Sequence, residues 1–324
     1  MTTGPLREAA EIISGAGSIA MACHIGPDGD ALGSMLGLAA AARNRGVEVF
    51  PSFGEPFTVP EAFRFLPLDL LVKPSAVPAA PDVMVTFDAG SVDRLGVLAE
   101  PAGRARHLVV IDHHASNSGF GTVNLIDPHA AATAEIVYLL LVEMGWDLDP
   151  VVATCLHVGM VTDTGRFQYS NTTPATLEVA SKLVAAGARP EVIGQHVYEE
   201  VPFGYLGVAG LVLQRAVLEA ERRLVWSVLT AADMERHGIG LDDTDPLIDA
   251  IRVARESDVA MLLKDLGADR VKVSLRSRGR ADVGAIAVAL GGGGHHNAAG
   301  FNFAGSVEAA LAAVRDLLAP VDEG

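Results

Sequence analysis

Short, almost continuous apolar runs that alternate with helical patterns constrain the fold of this chain more than any other feature. The predicted strands between residues 18 and 165 occupy residues 18–25, 47–52, 82–88 and 107–112. The predicted helices around them occupy residues 31–45, 133–144, 150–162 and 174–186. Strands that are apolar on both faces are typical of a parallel sheet covered by helices on each side. We therefore expect an α/β domain built on a parallel sheet.

The pattern changes in the last third of the chain. Predicted strands occupy residues 224–229, 257–265 and 270–276, and predicted helices occupy residues 246–255, 283–290 and 307–318. This mixture predicts a second, smaller mixed α/β domain at residues 216–324, after a first domain at 1–187 and a helical connector at 188–215. A chain of 324 residues, half of them hydrophobic, has enough length and apolar content for two cores.

Composition excludes some classes of function. A formal net charge of -16 argues against tight, sequence-independent binding of long duplex nucleic acid, although a short phosphorylated substrate stays possible. No apolar stretch is long enough to predict a membrane-spanning helix. Cys23 and Cys155 both lie in apolar runs. We therefore expect them to be free, buried thiols in a reducing compartment. Because residues 1–13 also lack a signal-peptide pattern, we expect a cytoplasmic protein.

The densest group of ionisable residues lies in the turn after the first predicted strand. His24, Asp28 and Asp30 follow one another there, among glycine and proline. Neighbouring carboxylates raise each other's pKa, and a divalent cation would relieve their repulsion. A solvated turn in which Asp28 caps the next helix explains the same residues equally well. The residues that follow in the chain distinguish between a metal site and a solvated turn.

Acids and histidines follow several later elements in the same way. They are Asp88 after the third strand, Asp112, His113 and His114 after the fourth, and Asp163 after a predicted helix. Ligands gather at the carboxyl ends of parallel strands, so these side chains should share one cleft with the first group. Asp88 or Asp163 alone would be explained as a turn residue, whereas adjacent imidazoles after a buried strand need partners. Oxygen and imidazole ligands favour Mn²⁺, Mg²⁺, Zn²⁺ or Co²⁺, and their number exceeds the needs of one ion.

These motifs resemble those of the DHH phosphoesterase superfamily. The segment at residues 291–300, Gly-Gly-Gly-Gly-His-His-Asn-Ala-Ala-Gly, is similar to the signature of its DHH-associated C-terminal domain. Length and motif order most resemble the NrnA-type oligoribonucleases, which also dephosphorylate 3′-phosphoadenosine 5′-phosphate. Some relatives act on cyclic-di-AMP or its linear product pApA. The resemblance implies a parallel-sheet DHH domain, a DHH-associated substrate-binding domain, two divalent metal ions with Mn²⁺ as the expected metal, and a homodimer.

The resemblance also implies roles for the individual residues. The implied metal ligands form two sets that share one bridging carboxylate: His24 and Asp28 in one, Asp30, His113 and Asp163 in the other, and Asp88 in both. Asp112 would orient a histidine ligand. His114 would contact the scissile phosphate or assist the leaving group.

The second predicted domain offers candidates for substrate binding. Arg276 is the last residue of an alternating strand, and we expect it to face the cleft and to grip phosphate or stack on a base. A solvated run of charges would explain residues 276–280 as well. Gly293 and Gly294 permit close approach to a ligand, and their amides can bind phosphate, although a flexible loop is the usual explanation of a glycine run.

Three further residues are candidates for contact with substrate. The family signature has one histidine after its glycines, whereas this chain has His295 and His296. We favour His295, which follows the glycines directly. Arg166 and Phe167, just after the last acidic motif, offer a charge and a stacking face.

Together these features predict a two-metal phosphoesterase. Its expected reactions are hydrolysis of short oligoribonucleotides, or of linear and cyclic dinucleotides, to nucleoside monophosphates and of 3′-phosphoadenosine 5′-phosphate to AMP. An inorganic pyrophosphatase of the same superfamily is the nearest alternative, but those enzymes use a lysine- and arginine-rich substrate motif. An exonuclease for long single strands is disfavoured by the short, acidic chain. The complete ligand set disfavours a non-catalytic nucleotide-sensing module.

Overall fold

A computed structural model describes residues 3–318 of the chain. It divides into two compact units, Met1–Glu199 and Glu200–Gly324. Residues 188–215, predicted as a separate connector, are divided between these units. No helix in the described part of the chain is long and apolar enough to cross a membrane.

The first unit is built on a parallel five-stranded sheet. Its strands are β1 (Ser18–Cys23), β2 (Glu48–Phe53), β3 (Val83–Phe87), β4 (His107–Asp112) and β5 (Val123–Ile126). They lie in the order β2-β1-β3-β4-β5, and each neighbouring pair is parallel. The predicted parallel α/β domain is thus confirmed. The short strand β5 was not predicted from the sequence, since it is only four residues long.

Helices cover both faces of this sheet. They are α1 (Thr3–Ser14), α2 (Gly29–Asn44), α3 (Ala99–Arg104), α4 (Thr133–Met144), α5 (Pro150–Asp163), α6 (Pro174–Ala185) and α7 (Pro190–Gly194), the last followed by one π-helical turn, Gln195–Glu199. Alternate residues of β1 enter different cores. Ile19 and Met21 pack on one face, and Ala20 and Ala22 pack on the other. Burial on both faces explains why the strands are almost entirely apolar.

The strand order creates a crevice at the carboxyl end of β1. The chain leaves β1 to form β2 on one side and then returns to form β3 on the other side. Such a reversal is where ligands bind in open α/β sheets. The register pairs Cys23 with Phe87 and Phe87 with Ile111, so the residues that follow these strands meet at one edge.

Helices α2 and α5 pack backbone to backbone along a seam of small residues. A β-carbon on Gly33 would lie 2.3 Å from the carbonyl oxygen of Cys155, closer than any real contact. Only glycine therefore fits at this position. The close approach fixes the spacing of two helices whose ends reach the crevice.

The second unit has a mixed six-stranded sheet. Its strands are β6 (Val217–Glu219), β7 (Leu224–Thr230), β8 (Val259–Asp265), β9 (Arg270–Ser277), β10 (Gly293–His295) and β11 (Ala298–Ala304). They lie in the order β10-β11-β9-β8-β7-β6, with β7 and β8 parallel and the other pairs antiparallel. The predicted mixed α/β fold of this part is confirmed.

The helices of the second unit also lie in two layers. They are α8 (Gly204–Gln214), α9 (Ala231–His237), α10 (Leu247–Ile251), α11 (Val283–Ala289) and α12 (Val307–Leu317). Val273 and Leu275 of β9 join a core with α11 and α12, whereas Ala260 and Leu262 of β8 join a core with α8 and α10. The helix predicted at residues 246–255 is shorter than expected, and α9 was not predicted.

The glycine run differs most from its predicted form. Gly293 and Gly294 are part of β10, which pairs with β11 as a hairpin, and do not form a free loop. Gly294 has φ +135°, and a β-carbon there would lie 2.5 Å from the carbonyl oxygen of Ala298. The demand for glycine at this position is therefore explained by the hairpin.

Replacing Gly33 with alanine tests the helix seam. We expect Gly33→Ala to lower the free energy of unfolding by about 1–3 kcal/mol, because overpacking outweighs the better helix propensity of alanine. The control is Gly4→Ala in α1, where a β-carbon meets nothing within 4 Å; its effect should stay within about 0.5 kcal/mol. Urea denaturation measures both. If the Gly33→Ala protein were as stable as the wild type, the two helices would have room for a β-carbon at this position.

Candidate metal centre

His24 follows β1 and lies buried in the crevice. Its Nδ1 is 3.0 Å from the carbonyl oxygen of Ile25, which can only accept a hydrogen bond. Nδ1 therefore carries the proton, and Nε2 is turned toward two carboxylates. Nε2 lies 3.8 Å from Oδ1 of Asp28 and 3.6 Å from Oδ2 of Asp88. Fixing the tautomer through Nδ1 is how proteins prepare a histidine to bind a metal ion through Nε2.

Asp28 satisfies both interpretations of the turn. It is the N-cap of α2, where its Oδ1 accepts hydrogen bonds from the main-chain N–H groups of Asp30 and Ala31 at 3.1 and 3.0 Å. It also forms a set with His24 and Asp88 whose ligand atoms all lie within 4.8 Å of one another. Helix capping therefore holds a candidate ligand in place.

Asp88 occupies the centre of the site. It follows β3 with a left-handed backbone, φ 55°, and is buried. Its Oδ2 faces Nε2 of His24 at 3.6 Å, while its Oδ1 faces Nε2 of His113 at 3.6 Å. The two oxygens of one carboxylate thus point to two different histidines, which is the arrangement that a bridging ligand requires.

A second set of donors surrounds His113. Asp30, His113 and Asp163 have ligand atoms within 4.8 Å of one another. Nδ1 of His113 lies 3.2 Å from the carbonyl oxygen of Ala130, so this imidazole is also prepared to use Nε2. Nε2 lies 3.1 Å from Oδ2 of Asp163 and 3.9 Å from Oδ2 of Asp30.

The N-terminus of α4 holds Asp30. The fully buried carboxylate accepts hydrogen bonds from the N–H groups of Thr133 and Ala134 at 2.6 and 2.9 Å and from the hydroxyl of Ser34 at 3.0 Å. A helix N-terminus favours a carboxylate because its N–H groups lack partners and its dipole is positive there. Gly159 makes room, since a β-carbon there would lie 2.6 Å from Oδ1 of Asp30. Burial, together with the charge of neighbouring carboxylates, raises the pKa of Asp30 well above its usual value.

Thr133 connects the two sets of donors. Its hydroxyl donates to Oδ1 of Asp88 at 2.9 Å, while its main-chain N–H donates to Oδ2 of Asp30 at 2.6 Å. The residue is fully buried. We did not identify Thr133 from the sequence, because a threonine at the start of a helix is too common to signal contact with an acid far along the chain.

Asp112 lies against the ring of His114. Its Oδ1 is 2.7 Å from Nδ1 of His114 and accepts from the main-chain N–H of His113 at 2.8 Å. The ring of His113 is instead oriented by the carbonyl of Ala130. Asn117, which the sequence analysis did not select, donates to Oδ2 of Asp112 at 2.5 Å. The pair of Asp112 and His114 therefore forms a rigid unit beside Asp88.

The pKa shifts in the two donor sets show how the protein balances the negative charge of the carboxylates. Burial opposes protonation of His24, but Asp28 and Asp88 outweigh it and raise the pKa of His24 to about 10. Burial likewise opposes protonation of His113, and Asp163 raises its pKa well above the usual value. Burial would raise the pKa of Asp88, yet the surrounding imidazoles lower it. Protons on imidazoles thus offset carboxylate charge, and a bound metal ion would displace them.

The donor set fits a pair of divalent cations. Asp28, Asp30 and Asp88 have histidines within ion-pair distance, and no lysine or arginine of residues 3–318 pairs with them. Carboxylate oxygens and imidazole nitrogens without thiolate suit Mn²⁺, Mg²⁺ or Zn²⁺. Cys23 packs in the same core as Ile19 and Met21 and belongs to neither set of donors.

The candidate substrate residues in the first unit make contacts outside both donor sets. The exposed guanidinium of Arg166 lies over the ring of Tyr198, 3.9 Å from its centroid. Phe167 packs edge-on against His157 at a centroid distance of 6.0 Å. Both Arg166 and Phe167 have a left-handed backbone.

The candidate substrate residues of the second unit lie on its sheet. Arg276 is the β9 partner of Ala298 and is half-buried. His295 is the half-buried last residue of β10. His296 is exposed, with Nε2 3.1 Å from the carbonyl oxygen of Gly279 and Nδ1 3.4 Å from Oδ2 of Asp282.

Comparison with known sequence families agrees with this geometry. Residues 18–160 match the DHH family, N-terminal domain, and residues 227–319 match the DHHA1 domain. The chain belongs to the DHH family, which confirms the resemblance found in its motifs.

Relatives of known name or structure match more than half of the chain, and two of them match almost all of it. The bifunctional oligoribonuclease and PAP phosphatase NrnA of Thermus thermophilus is 33% identical over 97% of this chain and 94% of its own length. The cyclic-di-AMP phosphodiesterase GdpP of Geobacillus thermodenitrificans is 30% identical over 59% of this chain and 29% of its own. The crystal structure of an exopolyphosphatase-related protein from Bacteroides fragilis shares the fold, with a TM-score of 0.88, 23% identity, and coverage of 98% of this chain and 97% of that one.

Removing the hydroxyl of Thr133 should weaken metal binding without removing any ligand. We expect Thr133→Val to reduce Mn²⁺ affinity by about 10–100-fold, the usual cost of losing a group that orients a ligand. Thr133→Ser keeps the hydroxyl and should bind Mn²⁺ almost as tightly as the wild type. Calorimetric titration of metal-free protein measures affinity independently of turnover. Equal affinities for the valine and serine variants would contradict this role.

Proposed function

We propose that this enzyme, a phosphoester hydrolase of the DHH family, uses two divalent cations to cleave short nucleotides. The proposed reactions are hydrolysis of short oligoribonucleotides to nucleoside monophosphates and of 3′-phosphoadenosine 5′-phosphate to AMP. The activities named for NrnA support these substrates, and the activity named for GdpP adds cyclic-di-AMP to the candidates. The family resemblance of the motifs adds pApA. Mn²⁺ is the cation that we expect, and a cytoplasmic homodimer stays our prediction.

One observation carries the proposal. The two oxygens of Asp88 face Nε2 of His24 and Nε2 of His113, each at 3.6 Å. His24 belongs to one set of donors and His113 to the other. A carboxylate with two oriented histidines on opposite sides supports two cations close together, as enzymes that hydrolyse phosphoesters use them.

In the proposed mechanism, the chain holds the cations and orients the reacting groups. His24, Asp28 and Asp88 would hold one cation, and Asp30, His113, Asp163 and Asp88 would hold the other. When bound, such a pair of ions polarises the phosphoryl oxygens and lowers the pKa of a bound water. The N-terminus of α4 keeps Asp30 ordered, and Thr133 keeps Asp88 ordered, so the ligands do not need to rearrange for reaction.

His114 is the proposed proton donor to the leaving oxygen. Burial opposes its protonation, but contact with Asp112 and the charge of Asp88 outweigh burial and raise the pKa of His114 above its usual value, which favours the protonated ring. The carboxylate of Asp112 accepts a hydrogen bond from Nδ1–H of His114 and thereby fixes the plane of the ring. In this proposal, Nε2 carries the proton that passes to the leaving oxygen. Water is the alternative donor.

The second unit is proposed to bind the nucleotide. Arg276 offers a guanidinium that can bind phosphate in a bidentate manner. We favour His295 over His296 for contact with substrate, because His295 follows the glycines directly. Gly293 and Gly294 let β10 approach β11 closely, and Arg166 and Phe167 stay candidates for stacking.

A substrate panel tests the proposed reaction. With Mn²⁺ present, we expect release of AMP from pApA and of phosphate from 3′-phosphoadenosine 5′-phosphate, and no release of phosphate from pyrophosphate. A chelator should abolish both activities, because the donor set alone offers no strong nucleophile. Chromatography of nucleotides and a phosphate assay measure the products.

Each other outcome of the panel points to a different function. Preferential hydrolysis of pyrophosphate would indicate an inorganic pyrophosphatase. Nucleotide binding without hydrolysis would indicate a nucleotide-sensing module. Activity that survives chelation would contradict the two-cation proposal.

Replacing Asp88 tests its bridging role. Asp88→Asn keeps the side-chain shape but removes the shared charge, so we expect kcat/KM to fall about 10³-fold or more, which corresponds to several kcal/mol of transition-state stabilisation. The matched control is Asp93→Asn, an exposed acid shortly after β3, which should leave kcat/KM unchanged. Wild-type activity in the Asp88→Asn enzyme would rule out a bridging carboxylate.

A further inference from the structure

Residues 130–134, which lead into α4, contact three of the proposed metal ligands. The carbonyl oxygen of Ala130 lies 3.2 Å from Nδ1 of His113. The first turn of α4 donates hydrogen bonds to Asp30 and Asp88. A shift of this segment would therefore displace ligands of both donor sets at once.

A buried carboxylate that the proposed mechanism does not use holds this segment. Glu135 is the third residue of α4 and is buried. Its Oε2 accepts hydrogen bonds from the main-chain N–H of Ala131 at 3.0 Å and from the hydroxyl of Thr176 at 3.2 Å. Both donors are neutral groups, so the carboxylate binds and orients the main chain directly.

The peptide group between Ala130 and Ala131 connects Glu135 to His113. The N–H of Ala131 and the carbonyl of Ala130 belong to this one peptide group, which is planar. Glu135 therefore fixes the plane of the carbonyl that lies 3.2 Å from Nδ1 of His113. A hydrogen bond to a peptide N–H also polarises the carbonyl of the same peptide and makes it a better acceptor. Glu135 can thus orient the imidazole without touching it.

Asn171 holds the next peptide group of the same segment. Its Nδ2 donates to the carbonyl oxygens of Ala131 at 3.0 Å and of Asp163 at 3.1 Å. The carboxylate of Asp163 lies 3.1 Å from Nε2 of His113. One side-chain amide therefore joins the segment that orients His113 to the main chain of Asp163.

A left-handed turn brings the chain back from Asp163 to Asn171. Gly165, Arg166 and Phe167 have φ values of 54°, 65° and 61°. This conformation is unfavourable for residues other than glycine, and strain of this kind is typical of functional sites. The contact between Asn171 and the carbonyl of Asp163 gives the strained turn a purpose, since the turn allows the amide to reach that carbonyl.

We propose that Glu135 and Asn171 are positioning residues, which preset His113 and Asp163 for one divalent cation through the main chain of residues 130–132. The proposal rests on the proposed function, in which these two ligands hold the same cation. A purely structural role is the alternative, because an acid in the first turn of a helix also stabilises that helix. The two roles differ in their effect on metal affinity.

Titration of the metal-free, full-length protein with Mn²⁺ distinguishes the two roles. We expect Glu135→Met and Asn171→Leu each to lower the affinity for one of the two Mn²⁺ ions about 10–100-fold, the usual cost of losing a group that orients a ligand. Glu135→Gln keeps an oxygen acceptor for the N–H of Ala131 and should retain most of the affinity. At saturating Mn²⁺, kcat for pApA should return close to the wild-type value, because neither residue touches the substrate.

Asp149→Ala provides the matched control. Asp149 is another carboxylate of the first unit that accepts two main-chain N–H groups, at 2.9 and 2.8 Å, but it caps the end of α5 opposite to Asp163. Its loss should lower stability and leave both Mn²⁺ affinities unchanged. An unchanged affinity in either Glu135→Met or Asn171→Leu, or an equal loss in Asp149→Ala, would overturn the proposal. If Glu135→Met does not fold, Asn171→Leu decides, since it leaves α4 intact.

The number of Mn²⁺ ions bound by the wild type separates this inference from the proposed function. If the wild type binds one ion only, the two-cation proposal fails, whereas the affinity for that ion still decides whether Glu135 and Asn171 act on it. If the wild type binds two ions and the variants bind both as tightly, the inference fails and the proposed function stands. Binding of no Mn²⁺ would overturn both.

Discussion

The carboxylate of Asp88 is the constraint on which the candidate centre depends, because each of its oxygens faces a different histidine. Its backbone must adopt a left-handed conformation, which costs about 1–2 kcal/mol for most residues. The conformation persists because the main-chain N–H of Asp88 donates to Ile111 at 3.0 Å and its side chain accepts from Thr133 at 2.9 Å. Strain kept at one residue in this way is typical of functional sites.

The two units offer charge to a ligand in opposite ways. In the first, acids gather at a sheet edge, and the imidazoles around them are the groups whose protons balance the charge. In the second, Lys272 and Arg276 present fixed cations on a sheet face, with Lys264 buried behind them. The first arrangement suits mobile cations, and the second suits the phosphate groups of a nucleotide. A phosphorylated substrate is the chemistry that both have in common.

The sequence predicted the parts of the fold that long apolar runs define. His24, Asp88 and Asp112 were found because each lies at the carboxyl end of a buried strand, and parallel pairing brings those ends together. Thr133 and Asn117 were missed because the sequence does not indicate which distant acid a neutral polar residue will contact. The hairpin of β10 and β11 was missed because its glycine-rich segment has the composition of a loop, and only Phe301, Asn302 and Phe303 alternate between apolar and polar residues. The boundaries of the two predicted domains stay predictions.

If Asp30 and Asp163 hold a cation as proposed, the packing of α2 against α5 bears on ion selectivity. Asp30 lies in the first turn of α2 and Asp163 ends α5, so the distance between these carboxylates is set where Gly33 meets Cys155. A larger cation such as Ca²⁺ needs oxygen ligands about 0.3 Å farther away than Mg²⁺ does. Backbones already in contact cannot close further, and separating them would open a cavity in the core. Discrimination by ionic radius would then be a property of helix packing, which no change of ligand type could reproduce.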